Sequence, residues 1–343
     1  MNVPATNRRT RASAPAPAPA VGKGEQRGPL DPAYRLVDQP PVLCRLAHQA
    51  IAHQVPGAWK FLSLVRQMML RKTVVAHRLD GVRPVTLYLP LFRAESCKPL
   101  REIDHYERVV IDNAVALLTD EQASASATPL WFVDAGADIG MVSAQMIRRL
   151  DRLVRTFAFE PNPVTLPFLQ ATLASSGITH DIMPHAVGAQ NATGRMVMPP
   201  DDPSEHARFF QPDPNGPVRV QTIDSLPSPA GHQVVLKIDV EGNEADVIAG
   251  AARFLAAAAS FVVIFEAHPG VMARTGVGPG AILQRLNAIK PCLAFVAGDP
   301  PIPLDHDQAI EPQIPDFESR VHNIICHSIG GLGDGSSEAT TPG

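Results

Sequence analysis

The fold is decided by residues 130–140, which read LWFVDAGADIG. The first six form a short apolar run, which is typical of a buried strand, and the run stops at Gly136. Beyond Gly140, apolar side chains return at helical spacing as far as Leu150. A buried strand, a glycine turn and an amphipathic helix in this order predict the first strand–helix unit of a parallel sheet.

Short apolar strands continue to alternate with helices along the rest of the chain. We predict strands over residues 85–91, 130–135, 154–159, 178–187, 218–223, 233–240, 261–267, 292–297 and 321–327. We predict helices over 42–70 with a break at Pro56, over 103–118, around 245–255 and over 282–289. This alternation predicts an α/β fold: a mostly parallel sheet with helices on both faces. Ligands of such sheets bind beyond the carboxyl ends of the strands, so the residues that follow each strand are the informative ones.

Composition divides the chain into a main body and two tails. The chain has 343 residues, 45% of them hydrophobic, and a formal net charge of −4. Residues 1–28 carry a net +4, which leaves −8 for the rest, and they contain an Ala-Pro alternation that opposes both helix and sheet. We therefore expect a disordered basic tail over 1–28, an extension of helices and a strand over 29–100, a main domain over 101–328, and a disordered Gly- and Ser-rich tail over 329–343.

The same composition argues against several classes of partner. An acidic main domain disfavours nucleic acid, which basic surfaces bind. The longest apolar run, residues 254–265, is too short to span a membrane. The four cysteines are too far apart in sequence for a metal knuckle or a redox pair, and without a secretion signal we expect a cytoplasmic protein.

The turn after the first core strand predicts a ligand without phosphates. Gly136 and Gly140 let the backbone approach a ligand and then open a helix with free N–H groups. The dinucleotide pattern G-x-G-x-x-G is absent, and Asp138 would repel a pyrophosphate at the helix start. S-adenosylmethionine fits, because Asp134 or a nearby carboxylate could bind its ammonium group. The alternative is plain strand-to-helix turn chemistry.

An acidic residue follows the second core strand at the distance expected of a ribose ligand. Glu160 lies 24 positions after Gly136, where a carboxylate accepts hydrogen bonds from both ribose hydroxyls of a nucleoside. Alone, a glutamate at this place would usually be a solvated helix cap. In combination with the glycine turn, it favours a nucleoside cofactor.

Charged side chains also follow two later strands. Strand alternation places Lys237, Asp239 and Glu241 on one side of their strand, where charges must be paired or face a cleft. Glu266 and His268 share a side at the next strand exit. The alternatives are a structural Lys237–Asp239 pair and a histidine satisfied by its own surroundings.

Taken together, the motifs resemble those of a known family. VDAGADIG at 133–140, FEPNP at 159–163, LKIDVEGNE at 236–244 and FEAH at 265–268 are similar, in this order and spacing, to the FkbM-type methyltransferases. The resemblance covers roughly residues 100–330. It implies the Rossmann-like class I methyltransferase fold with a seven-stranded sheet, and S-adenosyl-L-methionine as the cofactor. The family usually has Asn where this chain has Asp138, and the added negative charge bears on cofactor affinity.

The resemblance also implies a role for individual residues. The loop on the methionine side of the cofactor would consist of Asp134, Gly136, Asp138 and Gly140. Glu160 would bind the ribose, and Ala186 would lie near the adenine. Asp239 and Glu241 would border the transferred methyl group. Glu107 would close the site from the helix that precedes the first core strand. His268 and Asp239 are the candidates for the base that removes a hydroxyl proton.

The implied activity is methyl transfer to oxygen, on a hydroxyl of a sugar or secondary metabolite. The acceptor would be a small molecule or glycan, with neither nucleic acid nor a membrane span involved, and no metal is required. Three alternatives remain open: a nicotinamide-dependent oxidoreductase, a catalytically inactive binding protein on the same fold, and a metal-assisted enzyme with Asp239, Glu241, Glu266 and His268 as ligands.

Overall fold

The structure is a computed structural model, which describes residues 30–93, 95–119, 128–197 and 209–328. The two tails predicted to be disordered, 1–28 and 329–343, lie outside the described residues. Among the described residues, no helix has the length and apolar character that crossing a membrane requires.

The strands are short and the first three lie in the extension. Their bounds are β1 Arg35–Val37, β2 Thr73–Leu79, β3 Val85–Pro90, β4 Leu130–Ala135, β5 Leu153–Phe159, β6 Thr179–Met183, β7 Ala186–Val187, β8 Ala192–Val197, β9 Phe209–Pro212, β10 Val218–Gln221, β11 Gln233–Ile238, β12 Ser260–Ala267, β13 Cys292–Val296, β14 Ile302–Leu304 and β15 His322–Ser328.

The helices separate these strands and cover the central sheet. Their bounds are α1 Val42–Ala52, α2 Ala58–Met69, α3 Leu100–Asp104, α4 Arg108–Thr119, α5 Met141–Arg149, α6 Leu166–Ser175, α7 Glu244–Ala249, α8 Ala252–Ala257, α9 Pro269–Thr275 and α10 Pro279–Ile289.

The central sheet has the order β14-β13-β15-β12-β11-β4-β5-β6. Strands β6, β5, β4, β11 and β12 are parallel, whereas β15 is antiparallel to β12. This confirms the predicted α/β class, a mostly parallel sheet with helices on both faces. The sheet has eight strands rather than seven because the short β14 pairs antiparallel with β13 and extends that edge.

Three predicted segments are divided in the structure. The helix predicted around 245–255 is two helices, α7 and α8. The predicted strand 178–187 is interrupted between β6 and β7, so β6 belongs to the central sheet and β7 to a second sheet of order β7-β10-β8-β9. The predicted strand 218–223 is β10, and it lies in this second sheet as well. The predicted helix 103–118 is broken between α3 and α4, where Glu107 has a positive φ of 46°. The break places Glu107 in a turn beside the carboxyl ends of the central strands, and it lines the cavity described below.

Two hydrophobic clusters cover the two faces of the central sheet. One contains Phe157, Leu236 and Phe265 together with side chains of α7, α8 and α10. The other contains Phe132 and Val235 with side chains of α4, α5 and α6, and it also includes buried residues of α1, α2, β2 and β3. The extension therefore shares the core of the main domain.

Side-chain hydrogen bonds fix the extension on α6. The backbone N–H of Thr86 donates to Ser175 Oγ at 2.8 Å, and that of Tyr88 donates to Thr172 Oγ1 at 3.3 Å. Since β3 also pairs with β2, and β2 with β1, the three-stranded sheet of the extension is anchored on the helices that follow the first two core strands.

Candidate active site

The turn after β4 requires glycine. Gly136 has a φ of +87°, and a Cβ on it would lie 1.9 Å from the carbonyl oxygen of Asp239 at the end of the neighbouring strand β11. Gly140, with a φ of +85°, is the N-cap of α5. No L side chain fits at Gly136, so the backbone there lies directly over the end of β11 and is open to a ligand on its other side.

Glu160 is held in place by two backbone groups. Its Oε2 accepts the N–H of Asp138 at 2.8 Å, and its Oε1 accepts the N–H of Asn162 at 2.7 Å. The side chain is 7% exposed, and burial raises the pKa of Glu160 to about 7. The structure thus brings together the glycine turn and the carboxylate that the sequence spacing connected.

The extra negative charge at Asp138 is neutralised by the extension. Arg93, which follows β3, forms a salt bridge through Nη1 with Asp138 Oδ1. The Arg93 side chain is 6% exposed and that of Asp138 is 39% exposed. The predicted repulsion of Asp138 toward a ligand is therefore offset by a buried guanidinium. No local pattern indicated Arg93, because it lies 45 residues before its partner.

Asp134 and Lys237 lie opposite each other on β4 and β11, behind the turn. Asp134 is buried and accepts a hydrogen bond from Ser143 Oγ at 2.6 Å. Burial raises the pKa of Asp134 to about 6, although the positive charge of Lys237 acts in the opposite direction. Asp134 does not line the cavity, so the structure places it as a support for the turn and for α5.

Lys237 is a buried cation among carboxylates. It is 1% exposed, and its Nζ donates to Asp239 Oδ2 at 2.9 Å. Burial lowers the pKa of Lys237, but the negative charges of Asp239, Glu107 and Asp134 outweigh burial, and the net shift of that pKa is upward. The Lys237–Asp239 pair considered as the structural alternative is present, and Asp239 also lines the cavity.

Two further carboxyl groups face this cation. Glu107, in the break between α3 and α4, has a buried Oε2 without a hydrogen-bond partner, and burial raises its pKa. Glu266, at the end of β12, has a pKa raised to about 8 by burial and then by the neighbouring charge of Asp239. Glu107 is the residue that the family resemblance placed at the site from the helix before the first core strand. The position of Glu266 at a strand exit is the signal that could have placed it in the site.

The remaining predicted residues divide between the cavity and its surroundings. Glu241, with a φ of 56°, and Ala186 both line the cavity. His268 does not line it: its Nδ1 accepts the backbone N–H of Gly270 at 3.0 Å and caps α9. That nitrogen is therefore occupied, and the prediction that His268 acts as a base finds no support in this position. Across the described ranges, no three His, Cys, Asp or Glu side chains are grouped as metal ligands would be.

These elements enclose a cavity of about 1120 Å³ at the carboxyl ends of the central strands. Single ligands typically occupy about 300–1,000 Å³, so this space can admit a cofactor and an acceptor together. Seven carboxylates line it: Glu95 from the extension, and Glu107, Asp138, Glu160, Asp239, Glu241 and Glu266 from the main domain. Opposite them lie residues of the extension, among them Tyr34, Arg66 and Phe92.

Comparisons with known proteins gave a family match and similar solved structures. Residues 134–289 match the family model described as the methyltransferase FkbM domain. The FkbM methyltransferase structure from Methylobacillus flagellatus KT is 17% identical, with a TM-score of 0.35 over 58% of this chain and 43% of that one. Precorrin-6y C5,15-methyltransferase from Geobacter metallireducens GS-15 is 15% identical, with a TM-score of 0.32 over 65% of this chain and 87% of that one. A probable spermidine synthase from Corynebacterium glutamicum is 12% identical, with a TM-score of 0.34 over 65% of this chain and 64% of that one. A comparison with curated proteins gave no match.

The mostly parallel sheet and the domain match are together those expected of a methyltransferase domain. More narrowly, residues 134–289 match the FkbM methyltransferase domain, the family that the sequence motifs resemble. The similarity to the M. flagellatus protein spans less than half of that protein's length.

Proposed function

We propose that this protein transfers the methyl group of S-adenosylmethionine to a hydroxyl oxygen of a small molecule or glycan. The observation that carries the proposal is a single cavity that joins the clamped Glu160 and the Gly136 turn to carboxylates at the ends of β11 and β12. One end of this cavity suits a nucleoside, and the other offers groups that can accept a proton.

Residues on the cavity wall suit the cofactor. Each Glu160 oxygen already accepts one backbone N–H and retains capacity for a ribose hydroxyl. Ala186 would border the adenine. The unpartnered Oε2 of Glu107 supports a role in binding the ammonium group, while Asp134 would act from behind the wall through Ser143.

When bound, the cofactor supplies an activated methyl group on a positively charged sulfur. The protein's own residues then need to orient the acceptor, exclude water and take a proton. Asp239 lines the cavity and is oriented by Lys237 Nζ, so we assign it the hydroxyl proton, with Glu241 at the border of the methyl site. Glu266, with its pKa of about 8, is a second group that could take the proton.

Two measurements test the cofactor and the reaction. In calorimetry, we expect S-adenosylhomocysteine to bind and NAD not to bind; the reverse result would overturn the proposal. With tritiated S-adenosylmethionine and candidate hydroxylated acceptors, we expect label in a product that resists alkali, because an ether survives alkali whereas a methyl ester is hydrolysed.

Asp239→Asn tests the assignment of the base. The amide keeps the shape but loses the basicity and the charge, so we expect turnover to fall by about 10²–10⁴-fold, the usual contribution of a general base. Asp246→Asn is the matched control, since Asp246 is exposed on α7 and does not line the cavity. If Asp239→Asn lowered the Tm but left turnover per folded molecule unchanged, Asp239 would be only the structural partner of Lys237.

A further inference from the structure

The two walls of the cavity carry opposite charge. Six carboxylates line the side formed by the main domain, whereas the side formed by the extension presents Arg66, Arg71 and Lys98 with a single carboxylate, Glu95. The basic character extends along the sequence, because residues 39–79 contain six Lys or Arg and no Asp or Glu. A chain with a net charge of −4 thus concentrates positive charge in the segment that faces its acidic site.

Arg66 is the most constrained of the three cations. It is half-buried on α2, its Nη1 donates to the carbonyl oxygen of Phe92 at 3.1 Å, and its guanidinium lies over the ring of Trp59 at 5.7 Å. Its Nε is buried and has no hydrogen-bond partner among the described residues. A buried guanidinium donor without an acceptor costs free energy unless a ligand supplies one.

Arg71 and Lys98 extend this cationic surface toward solvent. Arg71 is exposed in the turn after α2, and Lys98 is half-buried just before α3. Within the described part of the chain, no carboxylate forms a salt bridge with Arg66, Arg71 or Lys98. By contrast, Arg93 on the same side is committed to Asp138. The three cations therefore outnumber Glu95, the carboxylate that lines the same wall among the described residues.

We propose that the methyl acceptor carries an oxyanion, a phosphate or carboxylate, which Arg66, Arg71 and Lys98 bind while its hydroxyl faces Asp239. This inference rests on the proposed function for the hydroxyl, but the oxyanion site stands on the cations themselves. Guanidinium groups match planar or tetrahedral oxyanions through paired N–H donors. Binding of the oxyanion to these cations would also reduce its repulsion by the six carboxylates of the main domain, because the oxyanion would lie at the opposite wall of the cavity.

The test titrates oxyanions into the full-length protein. Inorganic pyrophosphate represents phosphates and citrate represents carboxylates, each titrated by calorimetry with and without saturating S-adenosylhomocysteine. We expect at least one of them to bind saturably, and Arg71→Gln and Lys98→Gln each to weaken that binding about tenfold, as loss of a charge-assisted hydrogen bond does. The probe that binds more tightly identifies the class of oxyanion.

Lys60→Gln is the matched control, because Lys60 is an exposed cation on α2 that does not line the cavity. Its oxyanion affinity should equal that of the unmodified protein. The inference is overturned if neither probe binds, or if Lys60→Gln weakens binding as much as Arg71→Gln does. Failure of S-adenosylhomocysteine to bind would instead count against the proposed function, since the titrations without it still report on the oxyanion site.

Discussion

At the scale of single residues, Glu160 shows how the backbone prepares a site. Its two oxygens accept N–H groups from Asp138 and Asn162, so the carboxylate is oriented before any ligand arrives. The same burial that orients Glu160 raises its pKa to about 7. Ribose hydroxyls donate to the ionised form, so cofactor binding and proton release should be linked.

We predict that the affinity for S-adenosylhomocysteine rises from pH 6 to pH 8. Below pH 7 Glu160 is mostly protonated, and it must lose its proton to accept both ribose hydroxyls. The affinity should therefore increase by up to about tenfold per pH unit below pH 7 and level off above pH 7. Glu160→Gln should weaken binding about tenfold or more and flatten this dependence. Calorimetry across the pH range measures both effects.

Glu244→Gln is the control for this prediction. Glu244 is also buried with a pKa raised by burial, but it does not line the cavity, and its amide variant keeps an acceptor for the N–H of Gly242. Its pH dependence should match that of the unmodified protein. An unchanged profile in Glu160→Gln would remove Glu160 from the ribose site.

The sequence predicted Glu160 and the Gly136 turn because both lie at fixed distances from a strand end. It could not predict the salt bridge of Arg93 with Asp138, since tertiary packing alone brings those residues together. For the same reason it could not show that Asp134 faces away from the cavity while Glu107 faces into it. Strand alternation determines on which face of the sheet a side chain lies, but it does not determine which other element packs against that face.

At the scale of elements, the turn between β4 and α5 depends on Arg93, which follows β3 in the extension. Asp138 has a φ of 52°, its N–H donates to Glu160, and its carboxylate pairs with Arg93. The extension therefore contacts the cofactor loop through one buried cation. Loss of that cation should disturb both the turn and the Glu160 carboxylate.

We predict that Arg93→Met lowers both the free energy of unfolding and the affinity for S-adenosylhomocysteine. Asp138 would lose its partner but keep some solvent, so the loss of stability should be about 1–2 kcal/mol rather than the larger cost of a fully buried charge. Arg93→Met combined with Asp138→Asn should regain most of both losses, because position 138 would no longer carry a charge without its partner. Urea unfolding and calorimetry on all three variants measure the coupling, and purely additive effects would contradict it.

Element boundaries followed from sequence where the pattern was strong. β4, β5, β11 and β12 are continuous apolar runs, and their predicted positions agree with the structure within one or two residues. The break between α3 and α4 was missed because residues 105–107 contain neither Gly nor Pro. β10 was predicted as a strand, but its sheet was not, because local alternation does not choose the partner strand.

At the scale of the whole molecule, the extension and the main domain share one hydrophobic cluster. Buried side chains of β2 and β3, such as Leu79, Leu87 and Leu89, belong to the same cluster as Phe132 of the central sheet. The sequence suggested an appended segment, because the family motifs begin only near residue 100. In the structure, β3 contacts both α5 and α6, and β2 contacts α5.

We predict that a chain beginning at residue 100 does not unfold cooperatively. Removing β2 and β3 would expose the apolar side of α5 and α6, and the loss of several fully buried side chains, each worth about 1.5–3 kcal/mol, exceeds the stability of a typical domain. A chain beginning at residue 30 is the control, and we expect its Tm to equal that of the full-length protein. Calorimetric unfolding compares the full-length protein with the chains that begin at residue 30 and at residue 100. A sharp transition in the chain that begins at residue 100 would contradict the prediction.

The positions of the two tryptophans give the protein an optical reporter. Trp131 is 7% exposed and packs against Phe157 in the core, whereas Trp59 is 55% exposed beside the Arg66 guanidinium. Emission from Trp131 should thus report unfolding, and emission from Trp59 should respond when the charge environment of Arg66 changes. In a Trp131→Phe background, fluorescence would follow events at the extension wall of the cavity without a label.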